Sequence, residues 1–161
     1  MDRLVKVAGA LVCAAVVLYP AVATAEINAD LRVPRGWVKL AGTHPGQRSW
    51  RRNRELLDLE IQDNSKRLSL ASFMHDVVLP ASNSRGAHVI RSGRTTTCAG
   101  RLQAGRVVLS LPVQAGTRAV VEAVVTVSGS HAYVASYARA STSPPRLDAQ
   151  RAIRTLCLRR S

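Results

Sequence analysis

Residues 106–140 read RVVLSLPVQAGTRAVVEAVVTVSGSHAYVASYARA, and the alternation inside this stretch decides the fold. Every second position is apolar through Val107, Leu109, Leu111 and Val113, again through Val121, Ala123, Val125 and Val127, and again through Tyr133, Ala135 and Tyr137. A period of two belongs to extended chain, whose successive side chains point to opposite faces. The separators QAGT and SGS are short and carry glycine, as the links of antiparallel hairpins do. Three consecutive strands of a meander are therefore expected.

Upstream, a further strand is expected from His88 to Thr97, after the loop ASNSRG. Before that loop the period changes: Leu70, Phe73, Met74, Val77 and Val78 fall at i, i+3, i+4, i+7 and i+8, the apolar stripe of a helix. Ser65 or Ser69 is available to cap it, and Pro80 is expected to end it. The segment ELLDLEIQD alternates, with Leu57, Leu59 and Ile61 on one face and Asp58, Glu60 and Gln62 on the other, which reads as a half-buried strand with its carboxylates in water. Two shorter strands precede it, Trp37 to Leu40 and RSWRRN, joined by the turn GTHPGQ. Residues 26–35 form an extended lead-in. Downstream, the linker at 141–147 opens a helix whose inward stripe is Ala149, Ala152, Ile153, Leu156 and Cys157. The expected class is α+β: a mostly antiparallel sheet of about six to seven strands flanked by two helices.

The amino terminus, MDRLVKVAGALVCAAVVLYPAVATAE, supplies the address. Arg3 and Lys6 precede an apolar run from Val7 to Val22, and Ala23-Thr24-Ala25 has the small-x-small form of a secretory cleavage site. Residues 1–25 are read as a signal peptide and 26–161 as a single exported domain, secreted or periplasmic. The alternative is an uncleaved anchor, because Val7 to Ala25 is just long enough to span a bilayer. Cys13 is one more apolar residue of the signal. Two cysteines then remain, Cys98 and Cys157, and an even count in an exported chain reads as a disulfide. There is no Cys-x-x-Cys pair, and two lone cysteines without local histidines make a poor zinc site.

Lys and Arg number 23 against 10 acidic residues, a net charge of +13. Such a surface attracts polyanions and anionic membranes non-specifically. Most of these charges are scattered, and the local clusters are RSWRRNR and the terminal LRRS. Arg48, Arg51, Arg52 and Arg54 around Trp50 are the candidate anion-binding group, set against a strand that places Trp50 in the core and the arginines in water. Catalytic patterns are missing: no G-x-S-x-G elbow occurs, and His44, His75, His88 and His131 are each isolated. GAHVIRSG has neither the glycine spacing nor the Lys-Ser/Thr ending of a phosphate loop. No catalytic residue, cofactor or metal ligand is assigned.

The order of elements, with VPRGW before the first strand, LDLEIQD ahead of a helix, CAG after a strand, and HAYVASYAR followed by DAQRAIRTLC, resembles the PsbP/Mog1 class of α/β/α sandwiches. That class occurs in many small exported bacterial proteins. The resemblance implies its fold and an exported, often partner-binding or accessory role; it brings no catalytic residues. The leading expectation is a non-enzymatic accessory or binding domain of the bacterial cell envelope, acting on an unknown protein or envelope partner. The alternative is a basic protein binding a polyanion, an anionic ligand or a membrane surface, without specific nucleic-acid recognition. A hydrolase whose site assembles from distant residues is the third.

Overall fold

Seven antiparallel strands make up the central sheet of the computed structural model, which describes residues 28–41, 46–83, 86–114 and 116–159. In chain order the elements are β1 (Ala29–Asp30), β2 (Val38–Lys39), β3 (Gln47–Arg52), β4 (Glu55–Asp63), a helical segment α1 of three successive turns (Leu70–Phe73, Met74–Val78, Leu79–Asn83), β5 (His88–Thr97), β6 (Leu102–Gln114), β7 (Thr117–Ser128), β8 (His131–Ala140), α2 (Leu147–Ile153) and β9 (Cys157–Leu158). The sheet order is β2-β3-β4-β8-β7-β6-β5. Two meanders, β2 to β4 and β5 to β8, are thus joined through the β4–β8 pair, while α1 carries the chain from the sheet centre to its far edge. The signal segment 1–25 and His44 lie outside the described residues.

The alternating stretch forms its strands as read, and Ser128 pairs with His131 across a two-residue turn in which Gly129 takes φ +57°. That left-handed value is open to glycine at no steric cost. Two helices then cover opposite faces. α1 sends Phe73, Val77 and Val78 against Val107, Leu109, Leu111, Val121, Ala123 and Val125. On the other face α2 buries Ala149, Ala152 and Ile153 against Leu57, Leu59, Val124, Ala135 and Tyr137. The fold is α+β with the sheet between two helical layers.

Three expectations are corrected. Helix α1 continues past Pro80 to Asn83. The turn Met74–Val78 is a π-helix, and the Leu79 N–H closes it on the Met74 carbonyl. Pro80 then stands in the first turn of the next segment, where a missing N–H costs little. Cys157 is not on the last helix: α2 ends at Ile153, because the Arg154 and Thr155 N–H groups close short bonds to the carbonyls of Arg151 (3.1 Å) and Ala152 (2.9 Å). Thr155 Oγ1 also donates to the Ala152 carbonyl at 2.7 Å and accepts the Arg32 N–H at 2.8 Å. The chain leaves extended, as β9, and pairs with β1. Third, Asp58, Glu60 and Gln62 are buried. Their strand β4 lies between β3 and β8 and is buried along both faces from Leu56 to Gln62, so alternation there does not separate core from water.

The disulfide joins Cys98 and Cys157, 59 residues apart, with Cα atoms at 4.7 Å. Cys98 and Ala99 sit in the β5–β6 turn at φ 53° and 55°, left-handed values that cost L-residues about 1 kcal/mol each. Thr97 reinforces the junction, its hydroxyl lying 2.5 Å from the Arg154 carbonyl and 2.8 Å from that of Leu156. The bond therefore ties the sheet edge to the end of the chain. Cys157→Ser is expected to lower unfolding stability by roughly 4 kcal/mol on the chain-entropy account, measured by urea unfolding. A loss under about 1 kcal/mol would mean that Thr97 and the β1–β9 pair hold this corner unaided.

Candidate functional site

The arginines of the RSWRRNR cluster separate on folding. Trp50 packs, half-buried, against the core beneath α2. By strand alternation Arg48 and Arg52 share its face and Arg51 takes the other. Arg52 is occupied, with Nη1 3.3 Å from Asp148 Oδ2 and 3.5 Å from the Arg35 carbonyl. Arg54 stands in the β3–β4 turn and lines a hollow of 380 Å³ with Arg118 and Arg139. Of the histidines, His75 is exposed and pairs with its neighbour Asp76 at 2.7 Å, His88 is exposed at the start of β5, and half-buried His131 lies 3.4 Å from Ser130 Oγ. Among the described residues, no three His, Cys, Asp or Glu side chains gather where they could hold a metal ion.

What the fold does bring together is a set of residues far apart in sequence. Across the α2 face of the sheet, Arg91, Val108, Glu122 and Tyr137 lie in one cross-strand row, with Val120 and Arg139 paired in the row beside it. The reason Arg91 is there is a β-bulge. Val89 pairs with Leu109 on the α1 face, and Arg91, two residues on, would share that face in a regular strand. The extra residue Ile90 shifts the register, so Arg91 pairs with Val108 and is re-aimed to the α2 face. Ile90, Arg91, Arg106, Val108, Val120, Glu122, Tyr137, Arg139 and Gln150 line a cleft of 220 Å³ beside α2.

Its chemistry is cationic around one buried carboxylate. Glu122 is 4% exposed, and its Oε1 accepts from Arg106 Nε and Nη2, both at 2.8 Å, while its Oε2 accepts from Gln150 Nε2 at 2.8 Å. Arg154 Nη2 stands 3.9 Å from Oε1. A charge in a strand apolar on both faces has to be paired in this way. Arg139 donates through Nη1 to the carbonyls of Ala140 and Ser143, which holds its guanidinium in place. Tyr137 donates to Glu55 Oε1 at 2.7 Å and accepts the Arg146 N–H at 3.2 Å; burial, chiefly, and the Glu55 bond push its phenol pKa up. The tyrosine, its hydroxyl engaged by Glu55 and the Arg146 N–H, is a fixed wall of the cleft.

Sequence spacing held no sign of Arg91, Arg106 and Arg139, which meet only through register. Glu122 did have a signal. Val120, Val121, Val124 and Val125 surround it on both faces, so its strand is buried and its lone charge needs partners.

The opposite face carries a second polar group. Gln47, Ser49, Asp58, Glu60 and Ser136 are all buried there, and Gln47 Nε2 donates to Asp58 Oδ1 at 3.4 Å. Asp58 Oδ2 and Glu60 Oε1 have no hydrogen-bond partner among the described residues. Burial raises the Asp58 carboxyl to about 6 against the opposing bonds from Ser49 and Gln47. Burial and then the charge of Asp58 raise Glu60 to about 8.

No family model and no curated protein matches the chain. Solved structures do. A crystal structure from Bacteroides thetaiotaomicron is similar over 83% of this chain, with a TM-score of 0.55 and 13% identity; the match covers 46% of that protein, so this chain spans about half its length. The solution structure of cyanobacterial PsbP (CyanoP) from Synechocystis sp. PCC 6803 is similar over 88% of this chain and 98% of that one, with a TM-score of 0.50 and 11% identity. The fold is PsbP-like, as the sequence resemblance implies. At these identities the likeness concerns the fold alone.

The buried pair fixes a pH dependence. Both carboxyls have folded-state pKa values above their ordinary ones, so the folded protein holds protons that the unfolded chain releases. Their contribution is complete below about pH 4 and is lost as the pH rises through about 6 and then about 8. The melting temperature is expected to fall between pH 5 and pH 8, and Glu60→Gln to flatten most of that fall. A wild-type melting temperature that rises over the same interval would contradict the assignment.

Proposed function

We propose that this PsbP-like chain is an exported, non-enzymatic binding or accessory domain of the bacterial cell envelope, cut after Ala25 and working in the secreted or periplasmic space. The observation that carries the reading is the Cys98–Cys157 disulfide. Such bonds persist in oxidising compartments outside the cytoplasm and are rare within it. The amino-terminal pattern of basic residues, apolar run and small-x-small site supports the same address. No helix among the described residues is long and apolar enough to cross a membrane. Binding, rather than turnover, fits a site whose carboxylate is committed to Arg106 and Gln150 and whose tyrosine is held protonated.

A second reading, a protein that engages a polyanion or an anionic membrane surface, draws support from the cleft. Arg91, Arg106 and Arg139 converge there on an apolar floor. Binding of that kind weakens steeply with salt because counterions are released.

The intact mass of the exported protein, taken under native and non-reducing conditions, tests the first reading. The expected mass is that of Glu26 to Ser161 less two hydrogens. A full-length mass with free thiols would overturn the export reading, and turnover of a substrate abolished by one side-chain change would overturn the non-enzymatic one.

A further inference from the structure

We propose that the cleft between β5, β6, β7, β8 and α2 is a site for a phosphate-class anion, either free phosphate or the phosphate of a head group, held by Arg91, Arg106 and Arg139. The proposal rests on the reading of the protein as a binding domain and names the chemistry of its ligand.

Four observations lead to it. First, the three guanidinium groups come from three different strands and converge on one concavity, floored by Val108 and Val120. Arginine donates several N–H groups from a rigid plane, and several such planes meeting at an angle suit a tetrahedral anion whose oxygens accept from different directions. A planar carboxylate is satisfied by one of them. Second, the charges do not cancel. Glu122 neutralises one arginine, and two positive charges remain among Arg91, Arg106 and Arg139, with Arg154 a further cation 3.9 Å from the Glu122 carboxylate. Third, two of the three are preset: Glu122 fixes Arg106, and the backbone carbonyls of Ala140 and Ser143 fix Arg139. Arg139 and Arg106 are only partly exposed, so less side-chain entropy is lost on binding than at a free surface arginine. Fourth, Arg91 is aimed into the cleft by the Ile90 bulge and has no acceptor among the described residues. β5 is the edge of the sheet, where a bulge and a charge also guard against pairing with another strand. The face to which this bulge turns Arg91 is that of the other two arginines, and there its guanidinium is available to a ligand.

The test uses the exported, disulfide-bonded chain. Inorganic phosphate is titrated calorimetrically in a chloride buffer, with acetate as the planar anion for comparison. Vesicles of phosphatidylcholine with and without phosphatidic acid are offered in a sedimentation assay. Phosphate is expected to bind more tightly than acetate, and Arg91→Ser to weaken it about tenfold or more, the loss of one charge-assisted pair of hydrogen bonds. The melting temperature of that variant should change little, since the Arg91 side chain makes no hydrogen bond or ion pair among the described residues. Lys66→Ala, on the far side of the sheet, should leave binding as it is. Arg91-dependent sedimentation with phosphatidic acid vesicles, without binding of free phosphate, would identify the head-group source. Equal losses from Lys66→Ala and Arg91→Ser would overturn the proposal in favour of diffuse surface charge. So would acetate binding as tightly as phosphate, or no binding of either phosphate probe. None of those failures touches the export reading, which stands or falls on the mass and the disulfide.

Discussion

A seven-stranded sheet has two faces to keep from water and, here, two short helices to do it with. At about 4.8 Å between strands the sheet is roughly 29 Å across, and a helix of seven residues is only about 10 Å long. α2 therefore covers two or three strands, and it takes those at the centre, β4, β8 and β7. α1 takes β5, β6 and β7 on the opposite face. Coverage is diagonal, and the polar side chains of the strands collect in the two remaining quadrants. One holds Asp58, Glu60, Gln47 and Ser49; the other holds Arg91, Arg106 and Glu122. The location of chemistry in this molecule is a consequence of where its helices stop.

This arrangement also explains what the sequence could reveal. Alternation reported the strands well, and the bounds of β4 and β5 match those read from ELLDLEIQD and from His88 to Thr97. Alternation in one strand describes that strand's faces without saying which helix each will meet. Leu57, Leu59 and Ile61 point to α2, while Val107, Leu109 and Leu111 point to α1. Asp58 and Glu60 read as solvated because a lone strand with one apolar face is ordinarily half-exposed. The place of β4 inside the sheet, paired with β3 on one side and β8 on the other, leaves them buried instead. Pro80 and Cys157 were misplaced for a different reason. Proline ends a helix by withholding one hydrogen bond, and a π turn removes the need for that bond; a threonine hydroxyl ended α2 earlier than its apolar stripe suggests.

The cleft was the least legible feature, and its invisibility is physical. Arg91, Arg106 and Arg139 are neighbours only through hydrogen-bond register, and one of them reaches its place through an inserted residue that reverses the period of two. A one-residue slip moves a side chain across the sheet. The arginine cluster obvious in the sequence, by contrast, is dispersed by the same alternation between two faces and a turn.

The two-stranded pair β1–β9 joins Ala29 to Leu158 and Asp30 to Cys157, with Arg159 paired to Asp30 at 2.6 Å. Asp30 and Arg159 stand 129 positions apart, so a chain made from its amino terminus onward cannot close this clasp until β9 has been added. Because Cys157 belongs to β9, the strand pair with β1 and the covalent bond to Cys98 fasten the same two-residue segment from two sides.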